Sequence, residues 1–419
     1  MSELNNRREK MFAMMKENSA AILFSGSPKI SSEDEYLPFK SNRHFFYFTG
    51  IKQEESTLLL IKGIGGIKKT YLFIQEYDEL KEKWTGRRLT NDEASDISDI
   101  QNVSTNNNFE NMLSLALAEE NNQYGNIKTL YLDHSKELKI GHERWVEDFI
   151  LFIKNEYPHI EIENLYPMVC ELRMIKSSEE VENMVRAINA TNSGISQMIL
   201  AMKQGVKEYE LADIFEFYGR KNDHPDLAFS TIVAAGENAT CLHYPSQRDT
   251  IRDNDLVLFD LGYSHNGYSA DISRTYPVSG KFEGVQRDIY EAVLNCNKAI
   301  IEYVRSGMTL EQLQDYAKEF LRNECIRLKL IDENEDIQQY YYHRVSHFLG
   351  LDTHDVGNRE KPLVNGNVIT VEPGLYFKKY KCGVRIEDDV LIRDGRGECL
   401  SKCIVKEISD IERLMKTKY

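Results

Sequence analysis

The first part of the chain alternates short apolar runs with turn residues. Four runs between residues 20 and 75, AAILFSG, HFFYFTG, TLLLIKG and TYLFIQ, have the length and composition typical of strands. TLYLDH predicts a further strand, and helical spacing is found at the N-terminus, in FENMLSLALAEE and in RWVEDFILFIKNEY. Strands that alternate with helices predict an α/β domain, which we place at residues 1–170.

A second domain, residues 171–419, begins with a helix signal. Ser177 and Glu180 form a capping-box pattern, and apolar residues at helical spacing follow it. We predict further helices near 208–221, 283–305 and 309–329. Strands are expected at 230–235, 255–263, 267–277, 367–377 and 383–392. Because these strands follow one another as hairpins, the pattern predicts an α+β domain with an antiparallel sheet.

Composition narrows the possible partners and location. The net charge of −15 disfavours general binding to nucleic acid or to an anionic membrane, whereas carboxylates can serve as ligands for divalent cations. The seven cysteines are scattered, which indicates neither a disulfide framework nor a thiolate zinc site. The N-terminus is too charged for a secretory signal, and the sequence contains no apolar run long enough to span a membrane. We therefore expect a cytoplasmic protein.

The first candidate hairpin, DLVLFDLGYSHNGYSADISRTYPV, carries two acids. Asp260 and Asp271 flank Asn266-Gly267, a dipeptide that favours a tight turn. A hairpin centred between residues 265 and 266 places Asp260 directly opposite Asp271, on one face. In such apolar strands the two carboxylates repel unless one is protonated or a cation lies between them. A solvated surface hairpin is the alternative that avoids this conflict.

The second candidate hairpin, NVITVEPGLYFKKYKCGVRIEDDVLI, repeats the arrangement. Centring it between residues 379 and 380 places Glu372 opposite Glu387, and strand alternation puts Arg385 on the face of Glu387. Pro373 interrupts the strand and indicates an edge or a bulge. Two hairpins that each present two acids favour a shared carboxylate site over chance. A surface ion pair is the plain alternative for Arg385.

Histidines are concentrated near these hairpins. HRVSHFLGLDTHD contains His343, His347 and His354, and ATCLHYPS contains His243. A single histidine is more often structural than a ligand, but three within twelve residues beside two acid pairs favour a site. Imidazole with carboxylates suits Mn²⁺, Co²⁺ or Zn²⁺, and the charge of four carboxylates balances two divalent cations.

These motifs carry a resemblance to a known family. Asp260, Asp271, His347, Glu372 and Glu387, in this order, resemble the five metal ligands of the pita-bread metallopeptidases, which include methionine aminopeptidase, aminopeptidase P and prolidase. SHFLGLDTHDVG, ITVEPGLYF and GVRIEDDVLI resemble signatures of the proline-specific branch. SNRHFFYFTG and WTGRRLTNDEA resemble the non-catalytic first domain of aminopeptidase P. The resemblance implies a pita-bread catalytic domain at 171–419 and two divalent cations, most often manganese.

The same resemblance implies roles for the metal ligands. Asp260 is expected to bind one cation, His347 and Glu372 the other, and Asp271 and Glu387 to bridge the two.

The resemblance also implies roles around the metal ligands. His243, His354 and Arg385 are expected to support catalysis, and His243 and His354 also to contact substrate. His343 matches a histidine of the proline pocket, with Tyr376 as an aromatic neighbour. Because aminopeptidase P is commonly a dimer or tetramer, the resemblance also implies a homodimer or homotetramer. Trp84 and Arg87 match residues that approach a neighbour's active site in some relatives.

Residues and resemblance together predict hydrolysis of the N-terminal Xaa-Pro bond of peptides. A metal-bridging hydroxide attacks the carbonyl group, and Glu372 takes and then returns a proton. One alternative is a prolidase, with the same chemistry restricted to Xaa-Pro dipeptides. Another is a non-hydrolytic peptide-binding relative, which the complete ligand set disfavours.

Overall fold

The computed structural model describes residues 2–119, 123–134, 145–221 and 226–416. The chain forms two compact units, Met1–Arg173 and Met174–Tyr419. The catalytic and non-catalytic roles assigned to residues 171–419 and 1–170 remain predictions. Within the described ranges, none of the helices combines the length and the apolar character needed to cross a bilayer.

The first unit contains one mixed sheet. Its strands and those of a small separate hairpin are β1 (Ser19–Phe24), β2 (Ile30–Ser32), β3 (Glu35–Tyr36), β4 (Thr57–Lys62), β5 (Lys68–Ile74), β6 (Asn102–Thr105), β7 (Thr129–Leu132) and β8 (Glu161–Asn164). The sheet order is β6-β5-β4-β1-β7-β8; β4 is antiparallel to both of its neighbours, and the other pairs are parallel. Strands β2 and β3 pair with each other. The predicted α/β class of this unit is confirmed.

Helices surround this sheet, and one of them replaces a predicted strand. They are α1 (Glu3–Met14), α2 (Arg43–Thr49), α3 (Glu79–Thr85), α4 (Asn91–Ser98), α5 (Phe109–Leu117), α6 (Trp145–Glu156) and α7 (Tyr166–Met174). The prediction of a strand at HFFYFTG is wrong, because α2 occupies it. The Asn42 side chain accepts hydrogen bonds from the backbone N–H groups of His44 and Phe45, and Gly50 ends the helix in the left-handed conformation.

The second unit is built from antiparallel hairpins, as predicted. Its strands are β9 (Asp226–Leu227), β10 (Ile232–Ala235), β11 (Leu256–Leu261), β12 (Tyr263–His265), β13 (Tyr268–Ser269), β14 (Ile272–Pro277), β15 (Val368–Val371), β16 (Gly374–Phe377), β17 (Cys382–Arg385), β18 (Asp388–Arg393) and β19 (Arg396–Cys399). They form short sheets with the orders β10-β11-β14, β13-β12-β9, β15-β18-β19 and β16-β17. All of these strand pairs in the described residues are antiparallel.

Helices pack on these sheets and enclose the core of the second unit. They are α8 (Ser178–Ala201), α9 (Glu208–Lys221), α10 (Gly284–Tyr303), α11 (Leu310–Arg327) and α12 (Ile408–Lys416). The predicted capping box at Ser177 and Glu180 is present at the start of α8. Helix α8 packs on β12 and β13, and α10 packs on β17 and β19. The core lies between them and includes Ile188, Phe259 and Val293.

The first predicted hairpin forms, but with a different register. Asn266 and Gly267 have φ values of 49° and 83°, as a type I′ turn requires. Asp260 pairs with Ser273 rather than with Asp271, which lies at a break between β13 and β14. The predicted direct opposition of Asp260 and Asp271 is therefore wrong, because the turn is centred one residue later. A shift of two residues in pairing keeps both acids on the same face.

The second hairpin keeps its predicted register. Gly374 pairs with Arg385 in the β16–β17 ladder, and Val371 pairs with Asp388 in the β15–β18 ladder. Both pairings are centred between residues 379 and 380. Glu372 and Glu387 lie between these two ladders, where the strand is interrupted beside Pro373. The interruption separates the strands into two short sheets and leaves both acids at the break.

Candidate active site

A cavity of about 860 Å³ in the second unit contains nearly all of the predicted site residues. Its lining includes His243, Asp260, Asp271, His343, His347, His354, Glu372, Arg385 and Glu387. Apolar residues form another part of the wall, among them Phe229, Ile232, Leu242 and Pro245. The cavity therefore combines a charged interior with an apolar side.

Four carboxylates and one imidazole reach the cavity from different elements. Asp260 lies on β11, Asp271 precedes β14, and Glu372 and Glu387 lie at the break of the second hairpin. The Nε2 atom of His347 lies 3.3 Å from Asp271 Oδ2 and 3.6 Å from Glu372 Oε1. Asp271, His347 and Glu387 each present one possible ligand atom, and these atoms lie within 4.8 Å of one another.

The hydrogen bonding of His347 determines which nitrogen faces the acids. Its Nδ1 atom lies 2.9 Å from the carbonyl oxygen of Phe348, which can only accept a hydrogen bond. Nδ1 therefore carries the hydrogen of the neutral ring, and the lone pair of Nε2 points toward Asp271 and Glu372. Acceptors that face one another require a proton or a cation between them. A histidine whose other ring nitrogen donates to a carbonyl is typical of metal sites.

Without a bound cation, ionisation of these buried and closely spaced carboxyl groups is electrostatically unfavourable. Burial raises the pKa of Asp271 well above its usual value, and the neighbouring Asp260 raises it further. Burial raises the pKa of Glu387 in the same way, with Asp271 as the next cause. Burial also raises the pKa of Glu372, although His347 opposes this change. Divalent cations would favour the ionised forms, and the donor set therefore fits such ions.

Arg385 connects Asp260 to two neutral side chains. Its Nη2 atom donates to Asp260 Oδ2 (2.7 Å), its Nε atom to Ser273 Oγ (2.7 Å) and its Nη1 atom to the Tyr376 hydroxyl (3.1 Å). Arg385 is buried at the end of β17, so the alternative of a surface ion pair does not apply. The guanidinium group holds the Asp260 carboxylate in a fixed orientation.

Tyr376 lies behind the cavity wall rather than on it. It is 2% exposed, and its hydroxyl lies 2.8 Å from His343 Nε2. Because His343 Nδ1 lies 2.8 Å from the carbonyl oxygen of Arg344, Nδ1 carries the hydrogen and Nε2 accepts from Tyr376. Burial and the charge of Arg385 lower the pKa of His343 to about 3, which keeps the ring neutral. Tyr376 thus orients His343, and a ligand would contact the histidine.

His243 and His354 face the cavity with fewer constraints. The ring centroids of His354 and His347 are 4.2 Å apart. Burial, followed by the neighbouring His347, lowers the pKa of His354, which favours the neutral ring. In the described part of the chain, neither His243 nor His354 has a hydrogen bond to its ring. Both rings can therefore donate a hydrogen bond to a ligand in the cavity.

A charge network lies behind the acids, in which Arg274 and Asp388 are fully buried and Lys406 is partly buried. Asp388 accepts from Arg274 Nη2 (2.8 Å) and from Lys406 Nζ (2.6 Å). Arg274 Nη1 donates to the carbonyl groups of Ser273 and Glu387. Ser273 and Arg274 are not among the site residues that the sequence patterns predict. Strand alternation could have indicated Ser273, which follows Asp271 by two residues and shares its face.

Two protein-family models match separate parts of the chain. Residues 182–394 match the model of metallopeptidase family M24. Residues 4–124 match the aminopeptidase P N-terminal domain. The five donor side chains described above all lie within the first of these matches.

Relatives and solved structures match over nearly the whole chain. The Xaa-Pro aminopeptidase of Haemophilus influenzae is 34% identical, with 99% of this chain and 97% of that protein covered. A putative aminopeptidase P from Bacillus anthracis has a TM-score of 0.94 and 40% identity, with 99% and 98% of the two chains covered. Zinc-substituted Escherichia coli aminopeptidase P in complex with product has a TM-score of 0.90 and 29% identity, with 100% and 99% covered. The α/β unit, the antiparallel hairpin unit and these matches together establish that the chain belongs to metallopeptidase family M24, with an aminopeptidase P N-terminal domain preceding the peptidase domain.

Proposed function

We propose that this protein is an Xaa-Pro aminopeptidase that removes the N-terminal residue of peptides with proline in the second position. One observation carries the proposal: a single cavity gathers Asp260, Asp271, His347, Glu372 and Glu387. His243 and His354 line the same cavity with hydrogen-bonding atoms available to a ligand. The names of the relatives in Haemophilus influenzae and Escherichia coli support the Xaa-Pro specificity.

The five donor side chains would hold two divalent cations. Four carboxylates and one imidazole form an oxygen-rich set, for which we propose Mn²⁺, with Co²⁺ or Zn²⁺ as substitutes. The raised pKa values of Asp271, Glu372 and Glu387 support the need for positive charge at this place. When bound, such cations lower the pKa of water and supply hydroxide near neutral pH.

The protein's own side chains would move protons and stabilise charge. Glu372 is the proposed base and acid, since its carboxylate lies 3.6 Å from both His347 Nε2 and His343 Nδ1 and lines the cavity. His243 or His354 would donate a hydrogen bond to the oxygen that becomes negative during attack on the carbonyl. Arg385 would keep Asp260 oriented through the 2.7 Å contact of Nη2 with Oδ2.

The apolar side of the cavity supports binding of the proline ring. Phe229, Ile232 and Leu242 provide apolar surface in the wall of the cavity that His243 also lines. His343, which the Tyr376 hydroxyl orients, adds a neutral aromatic ring whose Nδ1 lies 3.6 Å from Glu372 Oε2. Moving an uncharged cyclic side chain from water onto such an apolar surface carries little desolvation cost. We propose that proline occupies this part of the site.

The decisive experiment is hydrolysis of a short Xaa-Pro-Xaa peptide. The purified protein is treated with EDTA and dialysed, and Mn²⁺, Co²⁺ and Zn²⁺ are added back separately. We expect release of the N-terminal residue, loss of activity with EDTA, and the best recovery with Mn²⁺. A matched peptide with alanine in place of proline is the control. Activity that is insensitive to EDTA, or equal on both peptides, would refute the proposal.

The same assay separates the two peptidase alternatives. An aminopeptidase cleaves the tripeptide, whereas a prolidase cleaves only the Xaa-Pro dipeptide.

We propose further that the protein acts in the cytoplasm. We also propose that it forms a homodimer or homotetramer, and light scattering on the purified protein tests this assembly. The exposed side chains of Trp84 and Arg87 are compatible with a role in such an assembly.

A further inference from the structure

Ser273 lies at the centre of the charged groups of the site. It is 0% exposed and pairs with Asp260 across the β11–β14 ladder. Its hydroxyl oxygen lies 2.7 Å from Arg385 Nε, 2.8 Å from Glu387 Oε2 and 3.2 Å from Asp260 Oδ1. A neutral side chain with one hydrogen thus lies among three charged groups. Which of these groups donates and which accepts follows from the atoms that carry a hydrogen.

The direction of each hydrogen bond follows from the donors available. Arg385 Nε carries a hydrogen and has no lone pair to offer, so Ser273 Oγ accepts from it. The single hydroxyl hydrogen then goes to a carboxylate. Glu387 at 2.8 Å is nearer to the preferred O–H···O distance than Asp260 at 3.2 Å. The chain of donation therefore runs from Arg385 through Ser273 to Glu387.

The backbone joins the same two residues a second time. The Glu387 N–H donates to the carbonyl oxygen of Ser273 at 3.0 Å. The Arg274 guanidinium group then donates to the carbonyl oxygens of both Ser273 and Glu387. These contacts join the first hairpin to the second and hold Asp271, two residues before Ser273, close to Glu387. Ser273 is thus the residue where the two acid pairs meet.

We propose that Ser273 is a positioning residue that sets the affinity of the site for divalent cations by fixing the Glu387 carboxylate. This inference rests on the proposed function. Without the hydroxyl, Glu387 loses a donor and Arg385 Nε is left buried without its partner. A carboxylate that can rotate is a poorer ligand, because binding must then restrict its motion. Substituting such supporting partners typically weakens metal affinity by about 10- to 100-fold.

Ser401 provides a matched control within the same unit. It is also 0% exposed, its hydroxyl donates to Asp388 Oδ1 (2.6 Å), and it accepts from the backbone N–H of Asp389 (3.2 Å). Ser401→Ala and Ser273→Ala remove the same atom, one bond to a carboxylate and one bond from an N–H group. Only Ser273 touches members of the proposed ligand set.

The test measures Mn²⁺ binding directly. Wild type, Ser273→Ala and Ser401→Ala are stripped with EDTA and titrated with Mn²⁺ in a calorimeter, and urea midpoints are recorded without metal. We expect comparable midpoint shifts for the two variants. The apparent Kd for Mn²⁺ should rise by about 10-fold or more in Ser273→Ala and by less than about 3-fold in Ser401→Ala.

Two results would overturn this inference while leaving the proposed function intact. One is wild-type Mn²⁺ affinity in Ser273→Ala. The other is an equal loss of affinity in Ser401→Ala, which would assign the effect to a general loosening of the core. A wild-type protein that binds none of Mn²⁺, Co²⁺ and Zn²⁺ in the same titration would instead refute the proposed function, and the inference with it. The calorimetric readout does not depend on peptide hydrolysis, so these cases are distinguishable.

Discussion

Lys176 and Asp355 form an ion pair in which both side chains are 1% exposed, with Lys176 Nζ 2.9 Å from Asp355 Oδ2. Asp355 directly follows His354, which faces the candidate site. The backbone N–H of Lys176 donates to the carbonyl oxygen of Gly366, close to the start of β15. The pair therefore ties the first residues of the second unit to the loop that carries His354.

Removal of the lysine charge should strongly destabilise the second unit. Lys176→Met removes the ammonium group from this buried pair, and breaking such a pair typically costs about 3–5 kcal/mol. Urea unfolding of the metal-free protein measures this loss. Because the His354 loop is released as well, we expect kcat on an Xaa-Pro peptide to fall. A double variant, Lys176→Met with Asp355→Asn, should recover part of the lost stability.

A second lysine pair in the same unit is a control for this prediction. Lys298 and Glu407 are 2.8 Å apart, with side chains 50% and 43% exposed. Exposed pairs contribute at most about 1 kcal/mol, so Lys298→Met should change the free energy of unfolding little. A loss in Lys176→Met no larger than that in Lys298→Met would contradict a stabilising role for the buried pair.

Glu208 is expected to hold the segment that carries His243. Its Oε1 accepts from the backbone N–H of Ala235 (2.8 Å) and from Asn238 Nδ2 (3.0 Å), and its Oε2 accepts from the backbone N–H of Asp249 (3.1 Å). One buried carboxylate thus closes residues 235–249 at both ends. Glu208→Gln replaces an acceptor with an NH₂ donor that faces an N–H donor, which is repulsive.

The predicted result is faster amide hydrogen exchange in residues 235–249 and a higher KM for Xaa-Pro peptides. Glu210→Gln is the matched control, since Glu210 is exposed and accepts from the backbone N–H of Lys207 (2.6 Å). That variant should leave exchange in the segment unchanged. If exchange in residues 235–249 were the same in Glu208→Gln as in wild type, the closure by Glu208 would be disproved.

The elements that sequence patterns predicted are those with local signals. The second hairpin was placed in its observed register because its arms can be counted from one turn. The centre predicted for the first hairpin differs from the observed one by one residue, because the centre of a type I′ turn lies within Asn-Gly, not before it. HFFYFTG has strand-like composition, but Asn42 and Gly50 cap it as a helix. In the first hairpin and in HFFYFTG, the turn and capping residues indicate the observed structure better than the apolar pattern does.

The supporting contacts of the site could not be predicted in this way. Ser273 and Glu387 are 114 residues apart, and Lys176 and Asp355 are 179 residues apart. Such contacts depend on how the two hairpins and the entering segment pack, and no local periodicity encodes that packing. The residues that face a ligand were identified by their chemical type, whereas the residues that hold them required the fold.

The first unit contains a pair whose effect on stability depends on pH. Burial, the largest single cause, raises the pKa of Asp133. The hydrogen bond and electrostatic interaction with His44, 3.0 Å away, together with Asn42 and Arg173, nevertheless hold the pKa below its usual value. A lowered pKa in the folded state stabilises above the unfolded value of about 4, and the contribution is lost as the pH falls. The difference in unfolding free energy between wild type and Asp133→Asn should therefore change little above about pH 5. It should narrow as the pH falls below about 4 and through the lowered pKa of folded Asp133. Thermal unfolding measures this gap, and a constant gap would contradict the assignment.

Glu372 is the side chain on which the proposed proton transfers depend. Glu372→Gln keeps the size and shape of the side chain but removes its charge and its capacity to accept a proton. His347 and His343, each 3.6 Å from the carboxylate, can retain their positions because Phe348 and Arg344 hold their Nδ1 atoms. We expect kcat on an Xaa-Pro-Xaa peptide to fall by about 10²- to 10⁴-fold, the usual contribution of general acid–base catalysis.

Metal content decides whether such a loss reflects chemistry or an empty site. Mn²⁺ bound at saturation is measured by mass spectrometry on the same samples used for kinetics, and Glu372→Gln should retain bound Mn²⁺ because four other ligands remain. Glu360→Gln, at an exposed position beyond His354, serves as the control with the same chemical change. Near-normal kcat in a metal-loaded Glu372→Gln would remove Glu372 from the proposed role. The proton would then have to be carried by another side chain facing the cavity, with His354 the first to test.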